Sequence, residues 1–153
     1  MKTAWVHHTD GAAYEGVTAF LCRKIWGKAK ALFPGTALVV LDGGKPVAAA
    51  LFNNWDKDAE TIEITAASDT KRWATRRVIR QMADFVFNEA GCQAAIMRCD
   101  PANTKLSRML TAYGFEGHEI PNLRGRGKAE KLFVLTDTAW RANGFHKENC
   151  HGR

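Results

Sequence analysis

A basic run, Lys71-Arg72-Trp73-Ala74-Thr75-Arg76-Arg77, with Arg80 one turn further on, is the first stretch of this sequence with the makings of a binding site. It lies between a β-type segment at residues 61–67 and an apolar stripe at helical spacing, Val78, Met82, Phe85 and Val86. The first turn of a helix offers unpaired N–H groups and the positive end of the helix dipole, so cations gathered there suit a phosphate. A solvated helix start or a nucleic-acid patch uses the same residue types; the position between strand and helix favours the phosphate. A second basic stretch, Arg124-Gly125-Arg126-Gly127-Lys128, reads as a glycine-rich loop. Asp100-Pro101 followed by Asn103 is a helix-start signal ahead of Leu106, Leu110 and Tyr113, with the Asn103 side chain as the cap.

Other reactive side chains point to less. Cys22, Cys92, Cys99 and Cys150 form no C-x-x-C pair and read as thiols of a reducing compartment. Cys99, at a strand end, is expected as a small buried hydrophobe, because no histidine adjoins it. His146, Cys150 and His151 cluster near the C-terminus, but a structural zinc site takes four ligands from well-spaced pairs, so no metal is expected. His7, His8 and His118 show no carboxylate partner and are expected as surface groups. The 22 Lys and Arg exceed the 16 Asp and Glu by six, and this +6 biases the chain toward polyanionic or phosphorylated partners. Neither apolar run, at residues 36–41 and 46–52, approaches the ~20 residues of a membrane-spanning helix. The polar start carries no signal-peptide pattern, so a cytoplasmic protein without membrane partners is expected.

The elements that must position these residues follow from periodicity. Tyr14, Val17, Leu21, Ile25 and Leu32 recur at helical spacing over residues 11–33, closed by Pro34-Gly35. Residues 36–41 and 46–52 read as two strands of a hairpin around Asp42-Gly43-Gly44-Lys45, whose glycines supply the positive φ of a tight turn. Ile62 and Ile64 alternate with Glu63 and Thr65 as a two-faced strand would. A helix starting near Trp73 to Thr75 and stopping at Gly91, a strand at 94–99, a helix from Asn103 to Gly114, and strands at 116–120 and 131–136 complete the order. The fold class is α/β (α+β): a central, mostly antiparallel mixed sheet flanked by helices, with a right-handed β-α-β unit across residues 61–99. It makes a single domain over residues 1–140, with 141–153 as a polar C-terminal tail.

Arg72-Trp73-Ala74-Thr75-Arg76-Arg77 entering an amphipathic helix, and the stretch from Asn103 through Ser107, Leu110 and Tyr113 to Gly114-Phe115, resemble the GNAT superfamily of acyl-CoA-dependent N-acyltransferases. With the matching element order, the likeness covers residues 36–136. It implies an enzyme that moves an acetyl group from acetyl-CoA to a primary amine, on a small molecule or a protein, by direct transfer in a ternary complex. It further implies that Arg72, Trp73, Ala74, Thr75, Arg76 and Arg77 cradle the pyrophosphate, although Trp73 also reads as a packing anchor under the loop. Ile64, Thr65 and Ala66 would line the pantetheine arm, Asn103 and Ser107 would contact the cofactor, and Glu63 would be the general base. The leaving-group acid falls to Tyr113 or Ser107, because the family's tyrosine position is Leu110 here, and the family's loop glycines are Thr75 and Arg77. A homodimer is compatible with this reading. The alternative is a non-catalytic nucleic-acid-binding module on the same fold, or an acyltransferase whose acceptor is associated with nucleic acid.

Overall fold

The computed structural model describes residues 1–143; His146, Cys150 and His151 lie outside the described residues. Its contacts gather into two compact units, Met1–Asp56 with Ile62–Met82, and Lys57–Thr61 with the chain from Ala83 onward. Seven strands, antiparallel in every pairing described below, and flanking helices give the mixed α/β class expected from the sequence.

In the first unit the strands β1 (Lys2–His7), β2 (Gly35–Asp42), β3 (Lys45–Asp56) and β4 (Thr61–Ser68) lie in sequence order. Ala37 to Val40 and Ala48 to Asn53 are buried without a break, which is why β2 and β3 read as continuous apolar runs rather than alternating ones. The β2–β3 turn is the Gly43-Gly44 pair, at φ 58° and 81°, which glycine adopts at no steric cost. Gly35 is required for a different reason: a Cβ there would lie 2.0 Å from the Phe52 carbonyl oxygen. One sheet face carries Ala37, Val39, Ala49 and Leu51 against Val17, Phe20 and Leu21 of α1 (Ala12–Trp26). Removing such Leu and Phe side chains from water stabilises the unit by ~1.5–3 kcal/mol each.

Helix α1 stops earlier than its periodicity suggests. Gly27 takes the left-handed conformation and its N–H reaches the Arg23 and Cys22 carbonyls, closing the helix. Leu32 still packs on the core, but from the following irregular segment, so its helical spacing with Ile25 is coincidental. The short start around Trp5 is a full edge strand, β1, pairing with β2 from Lys2↔Leu41 to His7↔Thr36.

Helix α2 (Arg76–Ala83) runs into a π-helical segment, Asp84–Glu89, where the Ala90 N–H reaches back five residues to the Phe85 carbonyl. The expected helix thus has the right extent, with a widened second half. In the second unit β5 (Ala94–Cys99), β7 (Lys128–Thr136) and β6 (Glu116–Gly125) lie in that order, both pairs antiparallel, with α3 (Thr104–Ala112) between β5 and β6 in the chain. A short α4 (Asp137–Ala142), capped by Thr136, takes in the start of the expected tail.

The expected glycine-rich loop is instead a hairpin end. β6 continues to Gly125 and β7 begins at Lys128, leaving Arg126-Gly127 as the turn. The β6–β7 register breaks between Ile120 and Gly125, Asn122 is left-handed at φ 63°, and its Oδ1 accepts from the Gly127 N–H at 2.8 Å. Pro121 inside this irregularity marks an edge strand that cannot readily pair with another chain.

Candidate active site

The cationic run begins where β4 ends. The Asp69 N–H donates to the Val47 carbonyl at 2.7 Å, tying the strand end to β3, and the Asp69 carboxylate is engaged by Lys24 of α1. That ion pair offsets the negative charge that Asp69 places next to the loop. Beyond it the Arg72 N–H donates to Thr70 Oγ1 at 3.2 Å and the Thr75 N–H to the Trp73 carbonyl at 2.9 Å, so hydrogen bonds local to the loop shape it. Thr75 is the cap of α2: its Oγ1 accepts from the Val78 N–H at 3.2 Å and its carbonyl from the Ile79 N–H at 2.9 Å. This takes care of one of the first-turn donors. Lys71, Arg72, Arg76 and Arg77 are exposed around the cap, and no acidic residue occupies the first turn. Trp73 and Ala74 are half-buried.

On β4 the alternation holds from Ile62 to Thr65 and lapses at Ala66. Ile62 and Ile64 are buried, while Glu63, Thr65 and Ala66 are half-buried. The Glu63 carboxylate accepts from the Asn54 side-chain amide at 3.0 Å. Asn54 has φ 51°, a left-handed residue near the end of β3, and asparagine is among the few side chains that tolerate it. The neighbouring Asn53 is buried; its amide donates to the Phe33 carbonyl at 3.0 Å, and among the described residues its Oδ1 meets no hydrogen-bond partner. Asn54 was not legible as a functional residue, although an Asn-Asn pair closing an apolar strand is a signal for such an irregularity.

The other candidates belong to the second unit. The Asn103 Oδ1 accepts from the Leu106 N–H at 3.2 Å, which confirms the cap of α3. The Asp100 carboxylate accepts from the Ala102 N–H at 3.0 Å, forming the turn that leads into the cap. Cys99 is buried beneath this turn, as expected of it, but not inertly: its Sγ lies 3.3 Å from the Asp100 carbonyl oxygen, 3.9 Å from the Asn103 carbonyl oxygen and 4.0 Å from Ser107 Oγ. Burial pushes the Cys99 thiol above its ordinary value, against a smaller opposing effect from Ser107. Tyr113 is half-buried at the C-terminal end of α3, six residues and ~9 Å of helix rise beyond Ser107. Burial raises its phenol above the usual range, so it keeps its proton at neutral pH.

One further residue was missed. Glu130 is buried on β7 and accepts from Arg124 at 2.9 Å, with Asp100 at 3.8 Å from the same guanidinium and Arg98 at 4.0 Å from Glu130. Arg124 therefore spends its charge on carboxylates instead of presenting it to a partner. His118 has a carboxylate neighbour after all, Glu116 at 3.4 Å, because residues two apart on a strand share a face. Among the described residues, no group of three His, Cys, Asp or Glu side chains could hold a metal ion, and no helix is long and apolar enough to cross a membrane.

No protein-family model matches the sequence, and no curated protein does. Solved structures match its fold. A spermidine N-acetyltransferase SpeG variant from Vibrio cholerae superposes with a TM-score of 0.70 at 11% identity, over 92% of this chain and 97% of the other. A second variant of that enzyme gives a TM-score of 0.72 at 11% identity, over 92% and 95%. Spermidine/spermine N-acetyltransferase SpeG from Vibrio cholerae in complex with manganese ions gives 0.60 at 14% identity, over 69% and 67%. With its mixed sheet, its helices and these neighbours, the chain has the GNAT fold, the architecture of those N-acetyltransferases.

Proposed function

We propose that this chain is an acetyl-CoA-dependent N-acetyltransferase acting on a primary amine by direct transfer. The observation that carries the reading is the start of α2: a Thr75-capped first turn with Lys71, Arg72, Arg76 and Arg77 exposed around it and no acidic residue within it. Backbone donors at a helix start, ringed by cations, suit a diphosphate even without the family's glycines. Arg72, Arg76 and Arg77 would hold that diphosphate, and Thr75 would keep the turn in shape. Ile64, Thr65 and Ala66 of the adjoining β4 would take the pantetheine arm. Asn103 and Ser107 of α3 keep the coenzyme contacts that the resemblance implies for them.

Acetyl-CoA, when bound, supplies a thioester carbon that a neutral amine attacks; the C–S bond breaks and the coenzyme leaves as a thiolate, which takes up the proton shed by the attacking nitrogen. Glu63 is the general base: the ammonium form of the acceptor must lose a proton before its nitrogen has a lone pair to give. The Asn54 amide holds the carboxylate from one side and leaves its other lone pairs available. Backbone N–H groups of β4 would polarise the thioester carbonyl. Tyr113, protonated and distant from Ser107 along α3, fits the packing role better than that of acid. A net charge of +6 gives no long-range attraction to a polycation such as spermidine, so a single amino group on a neutral or anionic carrier suits this chain better. Arg124, bound to Glu130 and Asp100, removes one cation from the nucleic-acid reading.

Isothermal titration with acetyl-CoA and with CoA tests the reading, followed by a mass-shift screen of pooled primary amines. Binding together with a gain of one acetyl group on an amine is expected. Absence of heat at millimolar coenzyme rules the enzyme out, and retention of DNA or RNA at low salt would then favour the binding module.

A further inference from the structure

Ser107 entered as both a cofactor contact and a candidate acid, and its surroundings decide between these roles. Among the described residues its hydroxyl has one hydrogen-bond partner, Cys99 Sγ at 4.0 Å. The sulfur has two other polar neighbours, the Asp100 and Asn103 carbonyl oxygens at 3.3 and 3.9 Å. Carbonyl oxygens only accept, so the single thiol proton goes toward them, and the nearer is Asp100. The hydroxyl is then the only one of the three neighbours able to donate to the sulfur. A helical serine otherwise turns its proton to the carbonyl four residues back, here Asn103, but among the described residues Ser107 Oγ makes no hydrogen bond to that oxygen, which takes the Ser107 backbone N–H at 3.1 Å.

We propose that Cys99 is a positioning residue that draws the Ser107 hydroxyl proton inward, so that Ser107 presents only oxygen lone pairs at the surface of α3 and receives an N–H of the coenzyme instead of protonating its leaving sulfur. This rests on the acetyl-CoA reading for the identity of the ligand, but not for the direction of the hydroxyl. The thiol suits the task, because burial keeps it protonated and neutral across the physiological range and so holds one hydrogen-bond pattern.

The direction is tested without coenzyme, by following the Cys99 side chain with ¹³Cβ-labelled cysteine NMR in the full-length protein through an alkaline titration, its resonance assigned by its loss in Cys99→Ser. A hydroxyl donating to the sulfur favours the thiolate, so Ser107→Ala must raise the Cys99 midpoint; an unchanged or lower midpoint overturns the proposal. The role is tested by kinetics. Ser107→Ala and Cys99→Ala are expected to raise the KM for acetyl-CoA about 5-fold, the size of one ordinary hydrogen bond, with a smaller effect on kcat. Cys99→Ser, which keeps an acceptor beneath Ser107, is expected to restore most of the loss. A Ser107→Ala variant that loses kcat about 100-fold at near-normal KM makes Ser107 the acid and overturns the proposal. If wild-type protein fails to bind acetyl-CoA, the enzyme reading falls and the coenzyme role of Ser107 with it, while the NMR titration still decides the hydroxyl direction.

Discussion

Helices α2 and α3 both start at a side-chain cap 3.2 Å from the third N–H of the helix, Thr75 for one and Asn103 for the other, yet the two starts are built in opposite ways. Around Thr75 the chain places exposed cations, and the acidic neighbour Asp69 is tied up by Lys24. Around Asn103 it places groups that hold one another: the Asp100 turn, the Cys99 thiol between two carbonyls, and Arg124 paired with Asp100 and the buried Glu130. The first start is suited to attract a charge through solvent, where long flexible side chains suffice. The second is suited to hold a neutral group in one orientation, which requires short, fixed bonds.

The largest effect is expected from neither helix start but from the strand before α2. Glu63→Gln keeps an oxygen for the Asn54 amide and removes the base, so kcat should fall about 100-fold or more while the coenzyme affinity stays the same. Steady-state kinetics beside calorimetry checks this, and an unaltered kcat removes Glu63 from the mechanism. Next comes the charge half of the comparison. Lys71→Ala, Arg72→Ala and Arg77→Ala together should weaken CoA binding roughly 30-fold at low salt, less at high salt, with little change in Tm, because the three side chains are exposed. A large drop in Tm with unchanged affinity would make the run structural and erase the contrast with α3.

The geometric half predicts the reverse pattern. Asn103→Ala should cost about 1 kcal/mol of stability in denaturant melts, the usual worth of a cap, with a coenzyme effect that does not vary with salt. The smallest effect is in alkali. Burial raises the Cys99 thiol above 9.0 and the Tyr113 phenol above 10.0, so the folded chain holds these protons more tightly than the unfolded one. Their contribution is complete below pH 9.0 and is lost as the pH climbs through the folded-state values. Cys99→Ala and Tyr113→Phe should each flatten the fall of Tm in that range, and slopes equal to wild type would show that burial does not hold these protons.

Where a residue's role depended on its near neighbours in the chain, it was legible. The double-glycine turn at Gly43-Gly44, the Asn103 cap, the alternation of Ile62, Glu63 and Ile64, and the placing of a cationic run at a helix start all follow from spacing and residue type. The length of α1 was misread because Leu32 keeps helical phase with Ile25 while Gly27, one residue with a left-handed backbone, ends the helix between them. The basic loop was misread because strand pairing, not composition, carries β6 on to Gly125.

The amino-acid sequence by itself determined the order of elements, the Asn103 cap and the net positive charge, since these rest on backbone preferences and on side chains acting within a few residues. Only the tertiary structure decided that Asn54 would hold Glu63, that Cys99 would sit against Ser107, and that Arg124 would be neutralised by Glu130 and Asp100. Hydrogen bonds and ion pairs act over a few ångströms in space. Strand register and helix packing alone bring such groups to that distance, across 6 to 24 positions of chain here.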